Sequence, residues 1–422
     1  MRAQPRTRRA VMAISAVLAA ALALTACSPE PDVELELPPQ AEVALPEATV
    51  EQLQDAVTNA MTSAGASGAI VGVWAPWSGS WVAGMGTQGP ADGAAEVTAD
   101  MQFRAGRITR PMICDVLYGA AAEGKVSLDD PVSEWVASVP VLDNVTLEQL
   151  CDSTSGIGAY APHLQPLWLS NPERTWSPRE LASFGLGEKR TTEPGAAYRD
   201  SDAGYVLLGL ALEHALGAPA AELIDEYVVQ PLNLDQTHLG ALTSDRVLEG
   251  LFSQPVEGGK RDCIAPLDVT DVSPSSAYTD SGVVSDIEDL GRYAQALATG
   301  ALLPDADDRF ADPVPAGANA PSWNTVAGGA MQAGSLIGQY GSVPGYTTAA
   351  FSDPESGLTI AVVLNNSAGG AGFGAYLAWE LAAIASKAPA AAGEAAPEAG
   401  LPWTAEQYHA EIVKRAICAP AA

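Results

Sequence analysis

The stretch FRAGRITRPMICDVLYGAAAEGKVSLDDPVSEWV, Phe103 to Val136, contains a segment, RPMICDVLYGAAAEG, whose apolar residues Ile113, Val116, Leu117, Ala120 and Ala121 fall on one face of a helix. Arg107 and Arg110 stand one helical turn apart where that helix begins. A cation there meets the positive end of the backbone dipole, so two of them cost stability unless neighbours compensate. The pair marks either unconstrained surface or a site that has been rebuilt.

Upstream, VEQLQDAVTNAM carries Val50, Leu53, Val57 and Met61 at helical spacing. GAIVGVWA and GSWVAGMG then read as two strands joined by the turn PWSG. Downstream the chain is helical and loop-rich, with TLEQLCDSTSGIG, SPRELASFG and GYVLLGLALEHALG. SGVVSDIEDLGRYAQALATG is an amphipathic helix with a strand-like start. The C-terminal part returns to strands in YTTAAFSDPESGLTIAVVLNN, a hairpin around Asp353-Pro354, followed by the helix FGAYLAWELAAIAS. An antiparallel sheet drawn from both chain ends, with flanking helices and a helical lobe between, is an α+β architecture. Composition is even over residues 49–387, which reads as one domain. Residues 388–400, APAAAGEAAPEAG, read as a flexible linker. Residues 401–422 read as a short final helix and tail, with Thr404 and Gln407 spaced as a capping box.

The first 26 residues combine Arg2, Arg6, Arg8 and Arg9 with an uncharged apolar run and a small-residue end, the pattern of a signal peptide. Leu24-Thr25-Ala26-Cys27 resembles a bacterial lipoprotein signal, which implies cleavage before Cys27 and a lipid on its sulfur. The residues flanking Arg8-Arg9 do not support a twin-arginine signal. Residues 27–48 are proline-rich and acidic, and read as a tether. Removing the four leader arginines from 21 basic residues leaves 17 against 51 acidic ones, a surface that repels nucleic acid. Four cysteines remain, Cys114, Cys151, Cys263 and Cys418. In an oxidising compartment an even number suggests two disulfides, with three connectivities open. Their spacing does not fit zinc, and His163, His214, His238 and His409 are scattered, so neither metal nor cofactor is expected.

FRAGRITR with AAEGKVSLDDPVSEWV, then TLEQLCDSTSGI, EPGAAYRDSDAGYVLLGLALE, VVQPLNLDQTHLG and YGSVPGYTTAAFSDPESGLTIAVVLNN, resemble in order and spacing the serine β-lactamase and penicillin-binding superfamily. The resemblance is nearest its class C β-lactamase and D-alanyl-D-alanine carboxypeptidase branch and runs from about residue 50 to 386. It implies the β-lactamase/transpeptidase-like fold and three motifs. A serine opens a helix and attacks the substrate carbonyl, aided by a lysine three residues on. A Tyr-x-Asn loop shares the proton transfers, and a His-x-Gly or Lys-x-Gly strand lines the oxyanion hole.

On this chain the serine falls on Arg107 and the lysine on Arg110. Tyr-x-Asn falls on Asp200-Ser201-Asp202, and the third motif on Gln339-Tyr340-Gly341, where only Gly341 is kept. A guanidinium is no nucleophile and does not lose its proton in proteins. None of the five lysines has a serine three residues before it, and no Gly-x-Ser-x-Gly elbow occurs. Ser153, Ser155 and Ser201 lie near the implied cleft, away from the nucleophile position. The changes are complementary in charge, so Asp200 and Asp202 are expected to face Arg107 and Arg110 as a salt-bridge plug. Two other readings stay open: an open cleft in which the arginines take a carboxylate such as the end of a peptidoglycan peptide, and unrelated drift of the lost motifs.

The resemblance also implies a Cys114–Cys151 bridge, because the segment before STSG lies near the first motif's helix in this fold. Cys263 is then left to pair with Cys418, pinning the last helix to the domain. The whole reads as a lipid-anchored protein at the outer face of the bacterial cytoplasmic membrane. It is expected to act by binding or regulation, with a peptidoglycan peptide, another carboxylate or an envelope protein as partner. The alternatives are a serine hydrolase with an unrecognised nucleophile and a purely structural envelope lipoprotein.

Overall fold

Alternate residues of the central strands face opposite layers, as the two-residue period of a strand requires. The computed structural model describes residues 33–418 apart from 138, 140–141, 304–307 and 398–399. The leader and Cys27 lie outside the described residues. Eight strands form the main sheet: β1 (Gly68–Ala75), β2 (Gly79–Gly86), β3 (Val314–Pro315), β4 (Asn324–Ala327), β5 (Ala330–Ala333), β6 (Leu336–Val343), β7 (Tyr346–Ser352) and β8 (Thr359–Leu364). They pair antiparallel throughout, in the order β2-β1-β8-β7-β6-β5-β4-β3. The pairing of Ile70 with Val363 joins the two ends of the chain in neighbouring strands.

On one side of the sheet, Val71, Val73, Val362 and Leu364 pack against α1 (Glu47–Ala64), with Leu53 and Val57 on its buried face. On the other side Ile70, Ala361 and Val363 join the core of the helical lobe. That lobe contains α2 (Thr109–Ala122), α3 (Leu147–Cys151), α4 (Ala161–Ser170), α5 (Pro178–Gly187), α6 (Asp202–Leu216) and α7 (Ile287–Thr299). Because β1 and β8 are covered on both faces, they read as nearly continuous apolar runs. Each large aliphatic side chain buried there contributes about 1.5–3 kcal/mol. α8 (Gly372–Ala385) and α9 (Ala405–Lys414) complete the first layer.

Helix ends follow local chemistry. The α9 capping box forms as the sequence indicates, with Gln407 N–H donating to Thr404 Oγ1 and Thr404 N–H to Gln407 Oε1. The hairpin between β7 and β8 turns at Asp353, whose Oδ1 accepts from the N–H groups of Glu355 and Ser356, both at 2.9 Å.

Both peripheral segments lie on the body. The stretch read as a tether is docked from Val33 onward: Val33 N–H donates to Pro231 O, Ala41 N–H to Pro76 O, and Leu45 N–H to Ser80 O. The stretch read as a flexible linker is fixed at its start, where Trp77 Nε1 donates to Ala388 O and Ser78 Oγ to Pro389 O. Beyond it, Trp403 donates to Trp379 O at 2.9 Å and joins an aromatic cluster with Trp323 and Tyr408. The C-terminal helix is thus part of the first layer's core.

Candidate functional site

The turn Gly106–Ile108 delivers the chain into α2. Gly106 has φ +61°, a conformation glycine adopts without strain. Thr109 Oγ1 donates to Gly106 O and accepts from Val283 N–H, and Thr348 Oγ1 donates to Ala105 O. These bonds fix the start of α2 between a short strand, Val283–Ser285, and β7. Cys114 on α2 is bonded to Cys151 at the end of α3, with Cα atoms 5.7 Å apart. Cys263 is bonded to Cys418, with Cα atoms 6.0 Å apart.

Arg110 is 2% exposed at its side chain and Arg107 26%. Asp200 sits between them, with Oδ2 2.9 Å from Arg107 Nη2 and Oδ1 2.8 Å from Arg110 Nη1. Arg110 Nε makes a further 2.8 Å bond to Asp280 Oδ1. Two cations and two carboxylates therefore form one connected network, which answers the unfavourable dipole at the helix start. Burial alone would raise the Asp200 carboxyl, but the two guanidinium groups outweigh it and hold it well below the usual carboxylate range. Burial opposes the charge of Arg110, and Asp280 and Asp200 more than restore it. The Arg110 guanidinium also lies 4.6 Å from the Tyr205 ring centroid.

Asp202 does not join the plug. It is the first residue of α6, and its carboxylate turns to the start of α4, accepting from Tyr160 N–H at 2.6 Å and Ala161 N–H at 2.8 Å. Those are the donors a helix leaves unpaired at its beginning, and two oxygens close on them readily. Burial, with the charge of Asp280 adding to it, pushes the Asp202 carboxyl up to about 7. The second anion of the plug is Asp280, on the short helix Tyr278–Ser281.

Gln339 donates through Nε2 to Gly329 O at 2.6 Å. Gly341 has a steric reason to be glycine: a Cβ there would lie 2.7 Å from Cβ and Cγ of Arg107. The stem of Arg107 is pressed on the bare backbone of β6 at Gly341. The void remaining between Arg110, Ser153, Tyr205 and Gln339 measures about 10 Å³, the size of a single water. Asp200 and Asp280 take up Nη2 of Arg107 and Nη1 and Nε of Arg110, while Arg110 Nη2 is buried without a hydrogen-bond partner among the described residues.

The nearby serines are engaged structurally. Ser153 Oγ donates to Tyr205 Oη, Ser155 Oγ accepts from Ile157 N–H, and Ser201 Oγ donates to Gly158 O while accepting from Gly204 N–H. A second buried ion pair, Arg309 with Asp115, lies behind the site, with Tyr293 Oη donating to Asp115 at 2.7 Å. Arg309 also donates to Gly328 O, propping the β4–β5 turn against the backbone of Arg110. The signal for this pair was an aspartate in the middle of an apolar helix. Among the described residues no three His, Cys, Asp or Glu side chains gather as a metal set.

Comparison with known proteins agrees with the architecture. The sequence model of the family described as Beta-lactamase matches residues 53–384. Esterase EstB of Burkholderia gladioli is 26% identical over 338 residues, covering 66% of this chain and 82% of the esterase. The D-alanyl-D-alanine-carboxypeptidase/endopeptidase AmpH of Escherichia coli (strain K12) is 30% identical over 145 residues, 33% of this chain and 37% of AmpH. Among solved structures, a D-stereospecific amidohydrolase from Streptomyces sp. superposes with a TM-score of 0.65 at 25% identity, covering 76% of this chain and 94% of that one. The octameric penicillin-binding protein homologue from Pyrococcus abyssi gives 0.67 at 20% identity, covering 79% and 77%. With the sheet, the helical lobe and the matched span in agreement, the chain belongs to the beta-lactamase family.

Proposed function

We propose that this protein is a catalytically silent member of its family, exported and lipid-anchored through Cys27 at the outer face of the bacterial cytoplasmic membrane, and that it acts by binding. The observation that carries the silent reading is the network Arg107–Asp200–Arg110–Asp280. The ester and amide chemistry named for the relatives needs a nucleophile, a proton acceptor and room for a carbonyl. Here the first two positions hold permanent cations bonded to carboxylates, and the void between Arg110, Ser153, Tyr205 and Gln339 is that of one water. Export is supported by the leader pattern and by two disulfides, which persist in oxidising compartments.

The test is intact mass of the chain from Ser28, which keeps all of the described structure, after incubation with a penicillin and separately with a serine-reactive phosphonate. No adduct is expected. A stable adduct on one serine would overturn the silent reading and identify the nucleophile.

A further inference from the structure

A cavity of about 690 Å³ opens beside the closed site. Ser342, the residue after Gly341 on β6, forms part of its wall, so it begins one residue from the plug. Pro166 and Leu169 of α4 and Phe252 supply apolar surface, and Gln254 and Arg261 line the far side. This volume is in the range that takes a small organic ligand.

Arg261 distinguishes the cavity. Arg107, Arg110, Arg174, Arg199, Arg246, Arg309 and Arg415 each pair with a carboxylate. Among the described residues no carboxylate pairs with Arg261, whose hydrogen bond is a 3.3 Å contact to Ser253 O; Arg104 and Arg292 also lack a carboxylate but donate to the carbonyls of Val272 and Leu232 at 2.7 and 2.6 Å. Its guanidinium lies 5.7 Å from the Phe252 ring centroid. The adjacent Asp262 spends Oδ1 on the N–H groups of Ile264 and Ala265. A half-buried arginine in a cavity wall with no carboxylate partner offers a charge-assisted hydrogen bond to a ligand carboxylate. Two residues on, Cys263 is bonded to Cys418, which fixes the segment bearing Arg261 to the C-terminal end of the body.

We propose that this cavity binds a small carboxylate with an apolar body, its carboxylate on Arg261 and its body against Leu169, Pro166 and Phe252. The assignment builds on the silent-site reading in that the ligand is held and not cleaved.

The experiment is calorimetric titration of the chain from Ser28 with 4-phenylbutyrate and with its uncharged amide. Saturable binding of the carboxylate is expected, about tenfold or more weaker for the amide, because a charge-assisted bond to guanidinium is lost. Arg261→Gln is expected to weaken the carboxylate by a similar factor and leave the amide unchanged, with Arg261→Lys between. Since Arg261 makes one weak internal hydrogen bond, Arg261→Gln should keep the wild-type melting temperature. Absence of saturable carboxylate binding, equal affinity for acid and amide, or unchanged affinity in Arg261→Gln overturns the site. 4-Phenylbutyrate has no bond for a hydrolase to cleave. A penicillin adduct would therefore overturn the silent reading and leave this site standing, whereas loss of Arg261 dependence does the reverse.

Discussion

Arg110 reaches Asp280, 170 residues further along the chain, with Nε 2.8 Å from Oδ1 and both side chains buried. Removing Arg110 leaves the buried Asp280 without its cation, and removing Asp280 leaves the buried Arg110 with the half-exposed Asp200 alone. Arg110→Ala or Asp280→Ala should therefore lower stability by about 3–5 kcal/mol, measured by urea unfolding. Arg107→Ala should cost about 1 kcal/mol or less, because Arg107 and Asp200 are both partly exposed and solvent screens them. Equal, small losses at Arg107 and Arg110 would mean that the plug does not hold in solution.

Gly341→Ala sets a methyl group against Cβ and Cγ of Arg107. Overpacking of this kind costs about 1–3 kcal/mol, which would appear as a lowered melting temperature. Arg107→Ala in the same background should recover part of the loss, since the Cγ contact disappears. A wild-type melting temperature for Gly341→Ala would show that Arg107 sits elsewhere.

Asp202 gives the protein an unusual dependence on pH. The carboxyl titrates near its ordinary value of 3.8 when unfolded and near 7 when folded. Between these values the folded state keeps a proton that the unfolded state has lost, so stability falls as pH rises through that window and levels off above it. Asp200 acts with the opposite sign: its folded value is depressed, so its contribution is present above 3.8 and is lost in stronger acid. The Asp202 effect is at most about 4 kcal/mol. Melting curves between pH 4 and 8 should decline in the wild type and decline less steeply in Asp202→Asn, the remainder coming from Asp152 and Asp289, which burial also pushes up to about 6; an unchanged decline in the variant would remove Asp202 as a cause.

The two disulfides should differ in reactivity. Cys114 and Cys151 are fully buried, whereas Cys263 is partly exposed. Mild dithiothreitol on the folded protein, followed by alkylation and peptide mapping, should label Cys263 and Cys418 first. Replacing Cys114 and Cys151 together by alanine should cost about 3–4 kcal/mol for a closed loop of 37 residues. Preferential labelling of Cys114 would contradict the burial.

Much of this was legible in the sequence where the signal is local. β1 and β2 announce themselves by composition and the turn PWSG, and the α9 capping box by its spacing. The facing of Asp200 and the arginines followed from motif order. Asp280 did not, because its partner lies 170 residues away and no local pattern marks it. Asp202 was placed on the wrong side, since two residues of advance across a helix start redirect the side chain to the backbone of α4. The segments read as tether and linker dock largely through backbone groups such as Ala41 N–H, Leu45 N–H and Ala388 O. Such bonds leave no side-chain periodicity to read.

The bond from Val33 N–H to Pro231 O shortens the leash. A free segment from residue 27 to 48 would let the body stray some distance from the bilayer. With Val33 fastened, five residues lie between Cys27 and the body, and the six steps from Cys27 to Val33 span about 20 Å at full extension. A lipid on Cys27, as proposed, would then set the orientation of the protein as well as its address. The side bearing Pro231 would rest near the head groups, and tumbling about the anchor would be confined to a narrow cone.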